Sequence, residues 1–107
     1  MTTFDERERA FEKRFAQDEE LKFKAMARRN RLAGLWAAKK LGLAEALAER
    51  YAKELVIADL DAAGSDCVCE RIHTDLAKKG ITESKEDIQR VIDEFMVQAQ
   101  KEVAVGS

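Results

Sequence analysis

The chain has 107 residues, a net charge of −2 and no proline, and its length allows one domain with a modest core. Its composition, rich in Ala, Leu, Glu, Lys and Arg, is typical of an all-helical protein. No apolar run approaches the roughly 18 residues of a membrane helix, and the N-terminus lacks the apolar core of a signal peptide. We therefore expect a cytoplasmic, all-α protein with no direct membrane contact.

The first twenty residues predict a highly charged helix. Eleven of the sixteen residues in 5–20 are charged and none is Gly or Pro, and Thr3 with Glu6 fits a capping box. The large apolar residues form one narrow ridge, at about 20–60° on a helical wheel. This phenylalanine ridge consists of Phe4, Phe11 and Phe15. Because an isolated helix of this length is marginal in water, we expect residues 1–18 to be mobile when free and helical when docked.

A second, broader apolar stripe follows in residues 21–40, rotated by roughly 80° from the phenylalanine ridge on an ideal helix. It consists of Leu21, Ala25, Leu32, Leu35 and Trp36. The two stripes predict one helix from Thr3 to Lys40, bent or frayed near Gln17–Glu20. We expect 21–40 to pack into the core and 1–18 to offer its ridge to a partner groove. Spacing alone leaves two alternatives open, since the ridge could also fold back onto the bundle or pair two copies as a coiled coil.

The rest of the chain predicts three more helices, joined by short loops that make neighbouring helices antiparallel. Gly42 and Gly80 suit the ends of the first and third helices, and Ser84 with Asp87 resembles a capping box for the last. The predicted fold is a small four-helix bundle over 19–107. Its helices span about 19–40, 43–62, 65–79 and 84–103. The core stripes of the last three helices consist of Leu47, Tyr51, Leu55 and Ala58, then Val68, Cys69, Ile72 and Leu76, then Ile88, Val91, Ile92, Phe95 and Ala99.

The sequence offers little for chemistry. It has no Gly-rich phosphate loop, nucleophile elbow or HExxH pattern. His73 is the single histidine, and we expect it at the surface or rim. Cys67 and Cys69 would point about 200° apart on a helix, so we expect reduced thiols to which we assign no function. The sequence therefore predicts no enzyme activity, no metal site and no cofactor.

Charge is distributed unevenly along the chain. Residues 1–20 carry −3, residues 21–40 carry +7 and residues 41–107 carry −6. The basic stretch 22–31 is compatible with a small nucleic-acid or nucleotide-binding regulatory module, although the pI of about 5.5 argues against nucleic acid. The alternatives are a solvated face of the first helix and steering of an acidic partner. The basic residues of the stretch are Lys22, Lys24, Arg28, Arg29 and Arg31.

The order of residues over 4–38 is distinctive. It contains Phe4-Asp5, Arg7-Glu8, Phe11-Glu12, Phe15-Ala16, Asp18-Glu19-Glu20-Leu21, Phe23-Lys24, Ala27-Arg28-Arg29-Asn30, Leu32 and Gly34-Leu35-Trp36-Ala37-Ala38. This order resembles the N-terminal signature of the zeta subunit family, the ATPase inhibitor subunits of alpha-proteobacterial F-type ATP synthases. Beyond residue 38 the similarity lies in Tyr51-Ala52, the helix lengths and the overall size.

The resemblance implies a non-catalytic inhibitor that is a monomer when free. Its N-terminal helix would insert into the catalytic alpha/beta interface of the synthase headpiece, meet the gamma subunit of the rotor and block ATP hydrolysis. The bundle would be an anchor outside the headpiece, peripheral to the inner membrane through the ATP synthase. Carried onto this chain, the phenylalanines form an apolar wedge, and the charged residues pair with opposite charges on the catalytic subunits. The implied partner-binding residues are Phe4, Arg7, Glu8, Arg9, Phe11, Glu12, Arg14 and Phe15.

Overall fold

The computed structural model of the protein describes residues 19–61 and 66–104. Those two ranges contain four α-helices and no strand, which confirms the predicted all-α four-helix fold. The helices are α1 Glu19–Lys40, α2 Glu45–Asp61, α3 Asp66–Lys78 and α4 Lys85–Ala104. None of these described helices is both long and apolar enough to cross a membrane. The predicted segment 1–18, with its start at Thr3 and its mobility, lies outside the described residues.

Two glycines end helices as their positions in the sequence predict. Gly42 follows α1 with φ 74° and Gly80 follows α3 with φ 76°, a left-handed conformation that glycine adopts without strain. The Leu43 and Ile81 amides donate to the carbonyl oxygens of Ala38 (3.0 Å) and Leu76 (2.9 Å). These bonds complete a Schellman motif at each end. Since residues 41–44 form this end, α2 begins at Glu45 and not at the predicted residue 43.

The start of α4 forms half of the predicted capping box. The Asp87 backbone N–H donates to Ser84 Oγ at 3.0 Å, as an N-cap requires. The Asp87 carboxylate does not bond back to the Ser84 amide, and its Oδ1 lies 3.3 Å from Arg90 Nη2 in the next turn. An aspartate is one methylene shorter than the usual glutamate of a capping box, and this explains the missing half.

The main core lies between all four helices. Its fully buried side chains of largest volume come from α2, α3 and α4. They are Leu55, Val68, Ile72, Leu76, Ile88 and Ile92, all of which the sequence predicts as core. A smaller cluster of Ala25, Ala99 and Val103 joins α1 to the end of α4. The prediction was wrong for Leu47, which is half exposed.

The core-facing side of α1 differs from the prediction. Its buried residues are Ala25, Arg29, Asn30, Ala33, Gly34, Ala37 and Ala38. Of the predicted stripe, only Ala25 is buried, while the four large side chains are partly exposed. The reason is a close approach of α1 to α2, where a Cβ on Gly34 would lie 2.6 Å from the Ala52 Cα. Only small side chains fit between backbones at that separation. Leu47 is exposed because, on an ideal wheel, it lies about 90° from the centre of the buried side of α2, which contains Tyr51, Ala52, Leu55 and Asp59.

Because the predicted stripe is not the buried side of α1, its rotation from the phenylalanine ridge no longer indicates two separate apolar surfaces. The buried side of α1 is centred at about 90° on the ideal wheel, whereas the predicted stripe is centred at about 315°. The phenylalanine ridge, at about 20–60°, is therefore closer to the buried side than to the stripe. The prediction that 1–18 offers its ridge to a partner now depends on its charge and on the family resemblance.

Candidate functional site: partner-binding surfaces

The predicted partner-binding residues all precede α1. They are Phe4, Arg7, Glu8, Arg9, Phe11, Glu12, Arg14 and Phe15, and they lie outside the described residues. Their role stays a prediction. What the structure does describe is the bundle to which they are joined, starting at Glu19.

The basic stretch 22–31 does not form a single solvated face. Lys22 and Lys24 lie 3.6 Å and 3.2 Å from glutamates one turn earlier in α1. Arg28 Nη1 lies 3.4 Å from Glu102 Oε1 of α4, and Arg31 Nη2 lies 2.9 Å from Glu49 Oε1 of α2. These two arginines therefore connect α1 to α4 and to α2.

The remaining cation of the stretch, Arg29, is buried in a polar network between α1 and α2. Arg29, Asn30 and Asp59 are 5%, 1% and 8% exposed. Arg29 Nε donates to Asn30 Oδ1 at 2.9 Å, and Asn30 Nδ2 donates to Asp59 Oδ2 at 2.8 Å. Arg29 Nη2 completes the triangle at 3.6 Å from Asp59 Oδ2. Burial lowers the pKa of the Arg29 guanidinium, while the charges of Asp59 and Asp93 oppose that shift.

Two atoms of this network have no hydrogen-bond partner among residues 19–61 and 66–104. They are Arg29 Nη2 and Asp59 Oδ1. Sequence reasoning placed Arg29 on a basic surface and gave Asn30 no structural role. The available signal was spacing, because Arg29 precedes Ala33 and Ala37 at intervals of four, and Asn30 precedes Gly34 in the same way.

A groove lies beside this network, between α1, α2 and the end of α4. Its main cleft has a volume of about 690 Å³ and shares Arg31 and Val56 with a neighbouring cleft of about 350 Å³. We call the two clefts together the basic groove. Its apolar lining consists of Phe23, Ala27, Leu32, Val56 and Val103. Phe23 is 55% exposed, which is unusual for a phenylalanine next to a core.

The charged residues of the basic groove are mostly cationic. Its five cations are Lys24, Arg28, Arg31, Arg50 and Lys53, and its two anions are Glu49 and Glu102. The groove thus carries +3 on a chain whose net charge is −2. Within the described ranges, no carboxylate pairs with Arg50 or Lys53.

A family model described as ATPase inhibitor subunit zeta matches residues 1–102. The chain belongs to this family. The match spans the N-terminal segment, α1 to α3 and all but the last two residues of α4, and so confirms the resemblance in residues 4–38 and extends it. By its description the family consists of inhibitor subunits of an ATPase, which associates the protein with ATP synthase in a regulatory role. A search of curated proteins gives no match.

The described part of this zeta-family chain contains no group of three His, Cys, Asp or Glu side chains that could hold a metal ion. His73 is partly exposed on α3. Cys69 is buried, as predicted, and its Sγ donates to the Lys85 carbonyl oxygen at 3.5 Å. The prediction for the Cys67 side chain lies outside what the structure describes.

Tyr51 joins α2 to α3 and is nearly buried, in agreement with its predicted core position. Its hydroxyl donates to Asp75 Oδ2 at 2.7 Å. Arg71 lies 5.7 Å from the ring centroid and also contacts Glu54 at 3.0 Å. Burial, followed by the hydrogen bond and charge of Asp75, raises the pKa of the Tyr51 phenol well above its ordinary value. This cluster is a structural contact between helices.

Proposed function

We propose that the protein is a non-catalytic inhibitor subunit of an F-type ATP synthase, and that residues 1–18 insert into the catalytic alpha/beta interface and block ATP hydrolysis. The observation that carries this proposal is the family match over residues 1–102, which includes both the segment and the bundle. The partners are the alpha, beta and gamma subunits of the headpiece. The free protein is a cytoplasmic monomer, and it is peripheral to the inner membrane when bound.

The mechanism is steric and needs no reaction at the inhibitor. Segment 1–18 would become helical in the interface, where the ridge of Phe4, Phe11 and Phe15 would fill apolar space between subunits. Burying each phenylalanine contributes up to about 1.5–3 kcal/mol. This gain acts together with the helix hydrogen bonds and charge pairs formed on docking to offset the entropy cost of ordering the backbone. Arg7, Arg9, Arg14, Glu8 and Glu12 pair with opposite charges on the subunits and fix the register of the helix.

The bundle supports the inserted segment. Residue 18 is covalently joined to Glu19, the first residue of α1. Helix α1 is held by Arg28 to α4, by Arg31 to α2, and by its buried small residues to the core. A force on segment 1–18 is therefore transmitted through α1 to the folded bundle.

The test is ATP hydrolysis by the isolated headpiece, with and without the full-length protein. We expect inhibition, and we expect Phe11→Ala or Phe15→Ala to raise the half-inhibitory concentration about tenfold or more, since each loses about 1.5–3 kcal/mol of apolar burial. The matched control is Val97→Ala, an exposed apolar position on α4, which should inhibit like the unchanged protein. Full inhibition by both phenylalanine variants would contradict the wedge.

The alternative of a nucleic-acid or nucleotide-binding module on residues 22–31 has less support. Of its five cations, Arg29 is buried, and Arg28 and Arg31 already face carboxylates of neighbouring helices. Salt-dependent retention of the protein on DNA or RNA, together with no effect on the headpiece, would favour this alternative over inhibition.

A further inference from the structure

We propose that the basic groove is a second docking surface, and that it binds a segment of the partner protein whose apolar face is flanked by carboxylates. This inference rests on the proposed function, because it assigns that acidic amphipathic segment to the ATP synthase headpiece. The groove begins at Phe23, one helical turn after the residue to which segment 1–18 is joined. One partner can therefore contact both surfaces.

The shape and lining of the groove suit a helical or extended segment with apolar side chains. Phe23 of α1, Val56 of α2 and Val103 of α4 line one cleft of about 690 Å³. A cleft of that volume accepts several side chains, and Phe23 offers more than half of its surface to them. Burial of a large apolar side chain on docking would contribute up to about 1.5–3 kcal/mol.

The charges of the basic groove indicate that the partner segment is negatively charged. The five cations and two anions of the groove leave +3 on a protein that is negative overall. Arg50 and Lys53 are exposed and have no ion-pair partner within the described ranges. Complementary charges raise the association rate and exclude partners of the wrong sign. Carboxylates on the partner would therefore meet this part of the groove.

The same features favour a protein segment over a nucleic acid. Glu49 and Glu102 pair with Arg31 and Arg28 in the groove, so its positive charge is not continuous. A phosphate backbone, with a negative charge at every nucleotide, would meet these two carboxylates, whereas a peptide with spaced carboxylates can avoid them. The apolar side chains that line the groove between its charges can pack against apolar side chains of a peptide, but not against phosphates. An acidic amphipathic segment would cover the apolar lining and pair its carboxylates with Arg50 and Lys53.

Photo-crosslinking tests the occupant directly. In the full-length protein, p-benzoylphenylalanine takes the place of Phe23, or of the equally exposed Val97 as the control outside the groove. With the isolated headpiece as the probe, we expect a crosslink from position 23 to an acidic, amphipathic segment of the headpiece, and background from position 97. A crosslink to residues 1–18, to a second copy of the chain or to a non-acidic segment would overturn the proposal, as would background at both positions.

A charge reversal tests the attraction. We expect the double variant Arg50→Glu with Lys53→Glu to bind the headpiece at least tenfold more weakly at low salt, with a smaller difference at high salt. The matched control is Lys78→Glu with Lys79→Glu, which reverses two exposed charges outside the groove. Equal binding of the two double variants would overturn the proposal, and so would loss of binding only to a DNA or RNA duplex.

These experiments separate the two proposals. If Phe11→Ala weakens inhibition as expected while the groove variants behave like their controls, the groove is not a docking surface and the inhibitor mechanism stands. If the full-length protein neither binds nor inhibits the headpiece, both proposals fail. If the groove variants bind weakly at low salt but recover at high salt, while Phe11→Ala weakens inhibition at either salt concentration, the two surfaces contribute separately and both proposals are supported.

Discussion

At the scale of single residues, Asp59 holds together the polar network between α1 and α2. It accepts a hydrogen bond from Asn30 and neutralises Arg29, all three being buried. We expect Asp59→Ala to lower the free energy of unfolding by about 3–5 kcal/mol, because it leaves a buried charge without its partner. Urea denaturation followed by circular dichroism measures this. Glu49→Ala removes the exposed ion pair with Arg31 and should cost at most about 1 kcal/mol; equal losses in the two variants would contradict the argument.

Tyr51 makes the fold sensitive to alkaline pH. Its phenol ionises at about pH 10 in the unfolded chain, but burial and Asp75 raise the pKa in the folded state. Below pH 10 both states keep the proton; above it only the folded state does, so stability falls as pH rises. Tyr51 is the single tyrosine, and the ultraviolet absorbance of phenolate reports it directly. We expect its titration to shift upward on folding, and we expect Tyr51→Phe to weaken the loss of stability above pH 10.

At the scale of elements, the contact of α1 with α2 depends on the absence of a side chain at Gly34. Alanine normally stabilises a helix by about 1 kcal/mol relative to glycine. Here the new Cβ would lie 2.6 Å from a backbone atom of Ala52, and overpacking costs about 1–3 kcal/mol. We therefore expect Gly34→Ala to lower the melting temperature, while Lys39→Ala at the exposed end of α1 leaves it almost unchanged. A stabilised Gly34→Ala protein would show that the helices separate easily.

At the scale of the whole molecule, the fold is expected not to need residues 1–18. The described cores consist of residues from Ala25 to Val103. We expect deletion of 1–18 to leave a protein with a cooperative thermal transition and a helical circular dichroism spectrum that no longer inhibits ATP hydrolysis. If the shortened protein unfolds, the phenylalanine ridge packs on the bundle in the free state, an alternative that the helical wheel of α1 keeps open.

The sequence predicted α3 and α4 better than α1. Ile72, Leu76, Ile88 and Ile92 repeat at helical spacing and are fully buried, because in these helices large apolar side chains fill the interior. In α1 the interior is set by how closely two backbones approach, and hydrophobicity patterns contain no term for that distance. The small residues around Gly34 therefore mark the buried side of α1, whereas the positions of the leucines led to the wrong side being predicted.

The two proposed partner surfaces also differ in how far the sequence predicts them. The resemblance over residues 4–38 indicated the inhibitory segment, but no pattern indicated the basic groove. Arg31 of α1 is far in the sequence from Arg50 and Lys53 of α2, and it joins them only because α1 packs against α2. In the sequence, Arg50 and Lys53 belong to residues 41–107, which carry −6. Only the fold places them beside Arg31 of α1.

The arrangement of contacts along α1 has a mechanical consequence. Arg31 ties this helix to α2 and Arg28 ties it to α4, and the packed alanines run between them parallel to its axis. A pull along that axis loads these attachments in shear, so that they must yield together. A sideways pull would peel them one after another at much lower force. A force applied end-on at Glu19, the start of α1, would therefore load the domain in the direction in which these contacts resist most.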